Sequence, residues 1–364
     1  MKILLIRLRL IGDVVFTTPI VRAVRRQYPD AHIAYAVEPV AAPVISGNCH
    51  VNEVLVVPKR RGMERLRDDM AFARQLRKAR FDIVIDLHGG PRSSWLAWAS
   101  RAPMRIGYRT TGRSWVYTHV VPRPADLSPR HSVLKQWELL GPLGIGSADP
   151  ARDPVEMPDD PAAAERVARA LAAAGVDASS DLIVLHVSAN NPFRRWPQES
   201  FAALVAALAH HRGRRFMITS GPSDADAARA IADRIGALLP AAGSAVAHGQ
   251  FDVSELRALA KHAAVYIGGD SGPMHIAATT GTPIVALFGP TLAERSMPWR
   301  DPRWFAEGVD AGPLPCRPCR QRTCSPGDFR CLARIGPERV AAAVERALEA
   351  ARPAVAPARK AVHA

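Results

Sequence analysis

The sequence predicts an α/β protein made of two doubly wound, parallel-sheet units, and three observations carry that prediction. Short continuous apolar runs alternate with amphipathic helical segments from residue 2 onward. Such runs suit strands buried on both faces, and strands alternating with helices give a parallel sheet with right-handed crossovers. A stretch rich in Gly, Pro and Asp, residues 144–160, interrupts the alternation, which then restarts. The length of 364 residues accommodates two domains at ~150 residues each.

In chain order, residues 2–8 form an apolar strand, and 14–28 a helix that ends near Pro29, because proline cannot continue one. Strands follow over 32–38 and 53–58, then a charged amphipathic helix over 63–79. The run F-D-I-V-I-D-L-H (81–88) is a fourth strand, 92–100 a helix and 104–108 a fifth strand. After the linker, a helix over 161–174 reopens the pattern. Strands are expected over 182–188, 215–220, 265–268 and 283–288, and helices over 198–210, 224–238, 254–262 and 273–280. The domains are therefore 1–150 and 151–336, followed by a C-terminal helix over 337–352 and a Pro/Ala-rich tail over 353–364. Ligands of such sheets bind outside the carboxyl ends of the strands, so the expected site is the cleft between the two units.

Composition narrows the function classes. At 48% hydrophobic and 23% charged residues, the chain is not of the disordered class. No apolar run reaches the ~18 residues of a membrane span. The first ten residues lack the charged–apolar–small order of a signal peptide, so the protein is expected to stay in the cytosol. The net charge of +14 favours an anionic partner: nucleic acid, a phosphorylated substrate or an anionic membrane surface. The basic residues are dispersed, aromatics are only 6%, and no RNA-binding aromatic signature occurs, so no nucleic-acid partner is expected.

Four motifs carry chemistry. In R-L-R-L-I-G-D-V-V-F-T-T-P (7–19), Gly12 would allow a tight turn after the first strand, with Asp13 at or near the N-cap of the next helix. Asp13 caps that helix or, standing at a strand end in the cleft, acts as general base toward an acceptor hydroxyl. The motif lacks the G-x-G-x-x-G dinucleotide fingerprint. In H-V-S-A-N-N-P-F-R-R-W-P (186–197), a polar loop with Ser188, Asn190 and Asn191 precedes Arg194 and Arg195. Paired guanidinium forks beyond a strand end suit a diphosphate; a solvated basic corner is the plainer reading. In Y-I-G-G-D-S-G-P-M-H-I-A-A-T-T-G-T-P (266–283), Asp270 and Ser271 precede a helix opened by Gly272, Pro273 and Met274, with His275 in its first turn. The free N–H groups there make an anion site that His275 can face; capping and core packing are the alternatives. Finally, Cys316, Cys319, Cys324 and Cys331 follow C-x2-C-x4-C-x6-C. Four thiolates can close a structural zinc site, but two C-x2-C knuckles are not present, and free or disulfide-prone thiols are the plainer reading. Asp86 and His88, beside Gly89-Gly90, and His131, at a helix start, are candidates for the acceptor side or merely turn and capping residues.

With these residues in place, the chain resembles glycosyltransferase family 9, the heptosyltransferases of bacterial lipopolysaccharide core assembly. The resemblance runs from I-G-D-V-V-F-T-T-P through R-R-W-P and G-G-D-S-G-P-M-H-I-A-A to F-G-P-T (288–291), nearly the whole chain. It implies the GT-B architecture of two Rossmann-like domains facing across a cleft, with an acceptor-binding first domain and a nucleotide-sugar-binding second. It implies ADP-L-glycero-D-manno-heptose as donor, a phosphorylated lipid A–Kdo or heptose core as acceptor, and no metal for catalysis. The family's proposed base falls on Asp13 and its basic donor-phosphate residue, usually Lys, on Arg194. Its donor-binding stretch falls on Asp270, Ser271, Gly272 and His275. Where some members carry Ser or Thr before the first G-D, this chain has Leu10 and Ile11. The resemblance further implies a peripheral location on the inner face of the inner membrane, where Arg60, Arg61, Arg65, Arg67, Arg101, Arg105, Arg109 and Arg113 would favour docking. The alternatives are a member using another nucleotide sugar or acceptor, a sugar-nucleotide epimerase of similar architecture, or a non-catalytic scaffold. The sequence is silent on which core heptose is added and on oligomeric state.

Overall fold

The computed structural model describes residues 1–351 except 126, 178–179, 190, 212 and 239–245. Asn190 and the tail therefore lie outside the described residues. Strands β1 (Lys2–Ile6), β2 (His32–Val37), β3 (Glu53–Val56), β4 (Ile83–Asp86), β5 (Met104–Tyr108) and β6 (His119–Val121) build the first sheet, in the order β3-β2-β1-β4-β5-β6. The second holds β7 (Asp181–His186), β8 (Arg214–Thr219), β9 (Val246–Gly249), β10 (Val265–Gly269), β11 (Ile284–Phe288) and β12 (Ala306–Asp310), in the order β12-β11-β10-β7-β8-β9. The ten strand pairings are all parallel.

The two sheets repeat one plan. In each, the first strand lies beside both its immediate successor and the strand that opens the other wing, so the order reverses between β1 and β4 and between β7 and β10. At such a reversal the following loops diverge and leave a crevice at the carboxyl edge. Asp13 lies in the helix that follows β1, Asp86 ends β4 with His88 just beyond it, and Arg194 and Asp270 follow β7 and β10. The motifs singled out in the sequence thus sit at the two switch points.

Three strands were not expected from the sequence: β6, β9 and β12. All are sheet edges, and their short, partly polar strings (H-V-V, V-A-H-G and A-E-G-V-D) show no apolar run. The helix expected over 14–28 is in fact two, Ile11–Val15 and Thr18–Gln27, with Pro19 in the first turn of the second. Asp13 consequently lies inside the first turn, and the N-cap is Leu10, which has no side-chain cap. The capping role considered for Asp13 therefore does not hold.

The linker is clamped rather than loose. Asp153 is fully buried between Arg26 (2.7 Å) and Arg152 (2.9 Å), and Trp299 Nε1 of the second domain donates to its carbonyl (2.8 Å). One apolar cluster crosses the domain boundary, joining Val14, Phe16, Val133 and Val155 to Met274, Ile276 and Phe288. Separate clusters fill the outer faces of the two sheets, and the helix Pro337–Ala351 packs Val340, Val344 and Leu348 onto the second. Among the described residues, no helix is long and apolar enough to cross a membrane.

Candidate active site

The site is built where the helix Ile11–Val15 of the first domain meets the helix Gly272–Ala277 of the second. Gly12 makes that approach. A Cβ on it would stand 2.6 Å from His275 Cδ2 and 3.5 Å from the Gly272 Cα. Gly12 is not among the positive-φ residues. The tight turn expected for it is thus a helical position whose missing side chain admits the other domain.

Asp13, next along the chain, keeps 32% of its side chain exposed and pairs with the Arg7 guanidinium. Arg7 also donates through Nη1 to the Leu87 carbonyl at the end of β4 (2.7 Å). The same half-buried cation therefore ties both segments of the first switch point together and orients the carboxylate. The only signal of Arg7 in the sequence is a charge ending an apolar strand.

Across the interface, Asp270 is buried and organises the donor side. His275 Nε2 lies 3.5 Å from its Oδ1, and Arg194 Nη1 lies 3.2 Å from its Oδ2. Burial alone would raise the Asp270 pKa, but the His275 hydrogen bond, the Arg194 charge and the Thr291 hydroxyl outweigh it and lower the pKa. Arg194 Nη1 donates to the Asp270 carbonyl (2.7 Å) and Nε to Gln321 Oε1 (2.8 Å). Ser271 Oγ and His275 Nδ1 are buried without hydrogen-bond partners, and Asp270 Oδ2 is met only by the Arg194 ion pair. Two unpartnered polar atoms this close are costly without a ligand to satisfy them. Ser271 is the N-cap of the short helix but makes no side-chain cap, Pro273 opens its first turn, and Met274 is buried in the core that joins the domains.

The remaining candidates separate. Arg195 does not join Arg194; it turns to Asp224 (3.0 Å) and the Ala189 carbonyl (2.8 Å). Ser188 Oγ accepts from Gly221 N (2.8 Å) and lies 3.2 Å from His186 Nε2, holding the ends of β7 and β8 together. Beyond them is an open recess of about 290 Å³ lined by Ser220, Ala225, Arg229, His248 and Gln250.

On the first domain, Asp86 is fully buried and accepts from Tyr117 (2.7 Å), Ser93 (3.0 Å) and the amides of His88 and Gly89 (3.0 and 2.9 Å). Burial raises its pKa against those donors, and with no exposed surface it shapes the turn rather than meeting an acceptor. His88 is only half-buried. Burial, then the charges of Arg7 and Arg9, lower its pKa to about 4, so it stands near Asp13 as a neutral imidazole. His131 caps the helix Ser132–Trp137, accepting from Val133 N (3.1 Å), while its Nε2 donates to the Met297 carbonyl (2.9 Å) across the interface. With both nitrogens engaged and the ring against Phe16 and Trp299, His131 is an interdomain tie.

The four clustered cysteines influence one another, each neighbour raising the Cys331 pKa further after burial has done so. Among the described residues, no group of three or more His, Cys, Asp or Glu is arranged to hold a metal ion. Of the arginines expected to face a membrane, Arg60 pairs with Glu64 and Asp68, Arg65 with Asp69, and Arg105 is bound to carbonyls of its own domain.

A model of glycosyltransferase family 9 (heptosyltransferase) matches residues 70–329. The chain is 30% identical over 322 residues to lipopolysaccharide heptosyltransferase 3 of Escherichia coli, covering 86% of this chain and 91% of that one. The crystal structure of the family 9 glycosyl transferase from Veillonella parvula superposes with a TM-score of 0.82 at 24% identity, over 96% of this chain and 97% of that one. E. coli heptosyltransferase WaaC with ADP gives 0.67 at 18%, over 95% and 100%. At these identities the two structures speak for the fold, which is the GT-B arrangement of two facing Rossmann-like domains.

Proposed function

Because the chain belongs to glycosyltransferase family 9 and is therefore a glycosyltransferase, we propose that it transfers heptose from ADP-L-glycero-D-manno-heptose to the lipopolysaccharide inner core, with inversion and without a catalytic metal. The observation that carries this reading is the meeting of Gly12 with Gly272 and His275. It sets a partly exposed carboxylate on one wall of the cleft beside a cationic, hydrogen-bond-hungry cluster on the other.

In this reading the acceptor hydroxyl oxygen attacks the anomeric carbon as its proton passes to the Asp13 carboxylate. The bond from that carbon to the diphosphate oxygen breaks on the opposite face, and its electron pair leaves with ADP. Arg194, the unpartnered Ser271 hydroxyl and the first-turn N–H groups at Gly272 meet the charge that develops on the diphosphate. Since that charge is met by fixed protein donors, no divalent cation is required. The recess beyond Arg195 receives the nucleoside end, consistent with its place at the carboxyl ends of β8 and β9. The acceptor is a phosphorylated, membrane-embedded lipid A–Kdo or heptose core, reached by an enzyme peripheral to the inner membrane. The chain's net charge of +14 supports that anionic partner.

The test is mass spectrometry of defined truncated core acceptors incubated with ADP-heptose, other ADP-sugars and UDP-sugars. The expected product is acceptor plus one heptose from the ADP donor alone. Consumption of a UDP-sugar only, or a changed sugar nucleotide formed without acceptor, would overturn the assignment.

A further inference from the structure

The cysteine-rich segment has no part in the proposed chemistry, yet it is fastened to the donor site. Cys319 N donates to the Pro290 carbonyl (3.3 Å), and Arg317 Nη2 to the Thr291 carbonyl (3.0 Å). Arg317 is itself buried in an ion pair with Asp310 at the end of β12 (3.0 Å). Further along, Leu332 fills the space over Gly289, where a Cβ would come within 2.6 Å of its Cγ. The strap is thus docked at both ends onto the F-G-P-T loop, and between the anchors it turns inward at Gln321.

Gln321 is a non-glycine residue in the left-handed region, with φ of 55°. That conformation is unfavourable for a side-chain-bearing residue and persists only where surroundings impose it. The side chain explains why it is held. Oε1 accepts from Arg194 Nε (2.8 Å) and from Asn191 Nδ2 (2.9 Å), and Nε2 donates to Thr291 Oγ1 (3.3 Å). The Thr291 hydroxyl in turn helps lower the Asp270 pKa. Two arms of the Arg194 guanidinium are therefore fixed, Nη1 by the Asp270 carbonyl and Nε by Gln321. Among the described residues Nη2 has no hydrogen-bond partner, and 31% of the side chain stays open to a ligand.

We propose that Gln321 is a positioning residue for the donor diphosphate: the cysteine-rich strap delivers its amide to Arg194 and sets the guanidinium plane that the phosphate oxygens meet. The inference rests on the reading of Arg194 as the diphosphate ligand. A guanidinium binds phosphate well only in the right plane, so an unfixed Arg194 pays its ordering at each binding event. Neither Gln321 nor the strap needs to touch the sugar or the acceptor.

The test compares Gln321→Gly, Arg194→Ala and the double variant, with ADP affinity by calorimetry and donor KM and kcat by product formation. Glycine suits the left-handed backbone, so lost binding in Gln321→Gly cannot be laid to strain. The expected result is about tenfold weaker ADP binding in Gln321→Gly, the lower range for a hydrogen bond to a charged group. Donor KM should rise accordingly, with acceptor KM unchanged. The double variant should bind ADP no more weakly than Arg194→Ala alone, because Gln321 acts only through that side chain. If Arg194→Ala weakens ADP while Gln321→Gly does not, or if the two losses add in full, the positioning role is wrong and the diphosphate reading stands. If Arg194→Ala itself binds ADP normally, both fall.

Discussion

Replacing Gly12 with alanine tests the domain contact on which the site depends. Two effects of opposite sign compete. Gly12 lies inside a helix, where alanine ordinarily gains about 0.5–1 kcal/mol over glycine. Against that, the new methyl would sit 2.6 Å from His275 Cδ2, where relaxed carbon contacts lie at ~3.5–4.0 Å, so about 1 Å must be recovered. His275 cannot simply swing aside: its side chain is 6% exposed, its ring packs on Phe16 at 4.2 Å and its Nε2 faces Asp270. Overpacking of this kind costs about 1–3 kcal/mol, so the helix gain is outweighed. The strain is relieved by parting the domains or turning the imidazole from Asp270, and either displaces the two halves of the site by roughly 1 Å. Misplacement on that scale costs about a hundredfold in rate. Steady-state kinetics should therefore show kcat/KM for transfer falling about a hundredfold in Gly12→Ala, with a modest drop in thermal stability and native circular dichroism. A variant as active as the parent and more stable would show that the close approach of Gly12 to His275 does not govern the site.

Asp13→Asn keeps the shape and an oxygen to accept from Arg7 but removes the base. Transfer should fall at least about a hundredfold at near-unchanged ADP affinity, and near-normal turnover would remove Asp13 from the chemistry. Incubation with EDTA should leave the initial rate where it was; a loss restored by added magnesium would assign the diphosphate charge to a cation instead of Arg194. Burial holds His131 neutral down to about 4, whereas in the unfolded chain it protonates near ~6.5. Between these values the unfolded state binds the extra proton, so stability falls as pH drops through that window and the loss is complete below about 4. In His131→Gln, urea unfolding should show a shallower dependence over that range, by up to ~1.4 kcal/mol per pH unit. An unchanged slope would mean that His131 is not the interdomain tie described.

Much of the architecture was legible because burial on both faces leaves a local trace. The runs that became β1, β4, β7, β10 and β11 are continuous apolar strings. The edges β6, β9 and β12 left none, since an edge strand needs only one neighbour and tolerates polar residues. The break at Phe16 and Thr17 inside an expected single helix was likewise invisible to periodicity, although Pro19 marks it.

For the site, the chain alone determined which loops carry chemistry, because a strand end followed by Gly, Asp, Ser or Arg is a local pattern. It did not determine what those residues would face. Whether Arg195 joins Arg194 or turns to Asp224, and whether His131 is free or tied to Met297, were settled by partners far away in sequence. Gly12 reads as a turn residue and proves to be a gap for His275; Arg7 and Gln321 read as nothing and prove to hold Asp13 and Arg194. A residue type and its neighbours set local conformation and ionisable chemistry, but the identity of a hydrogen-bond or charge partner is a property of two surfaces brought together. Only tertiary packing, within each domain and between the two, decides it.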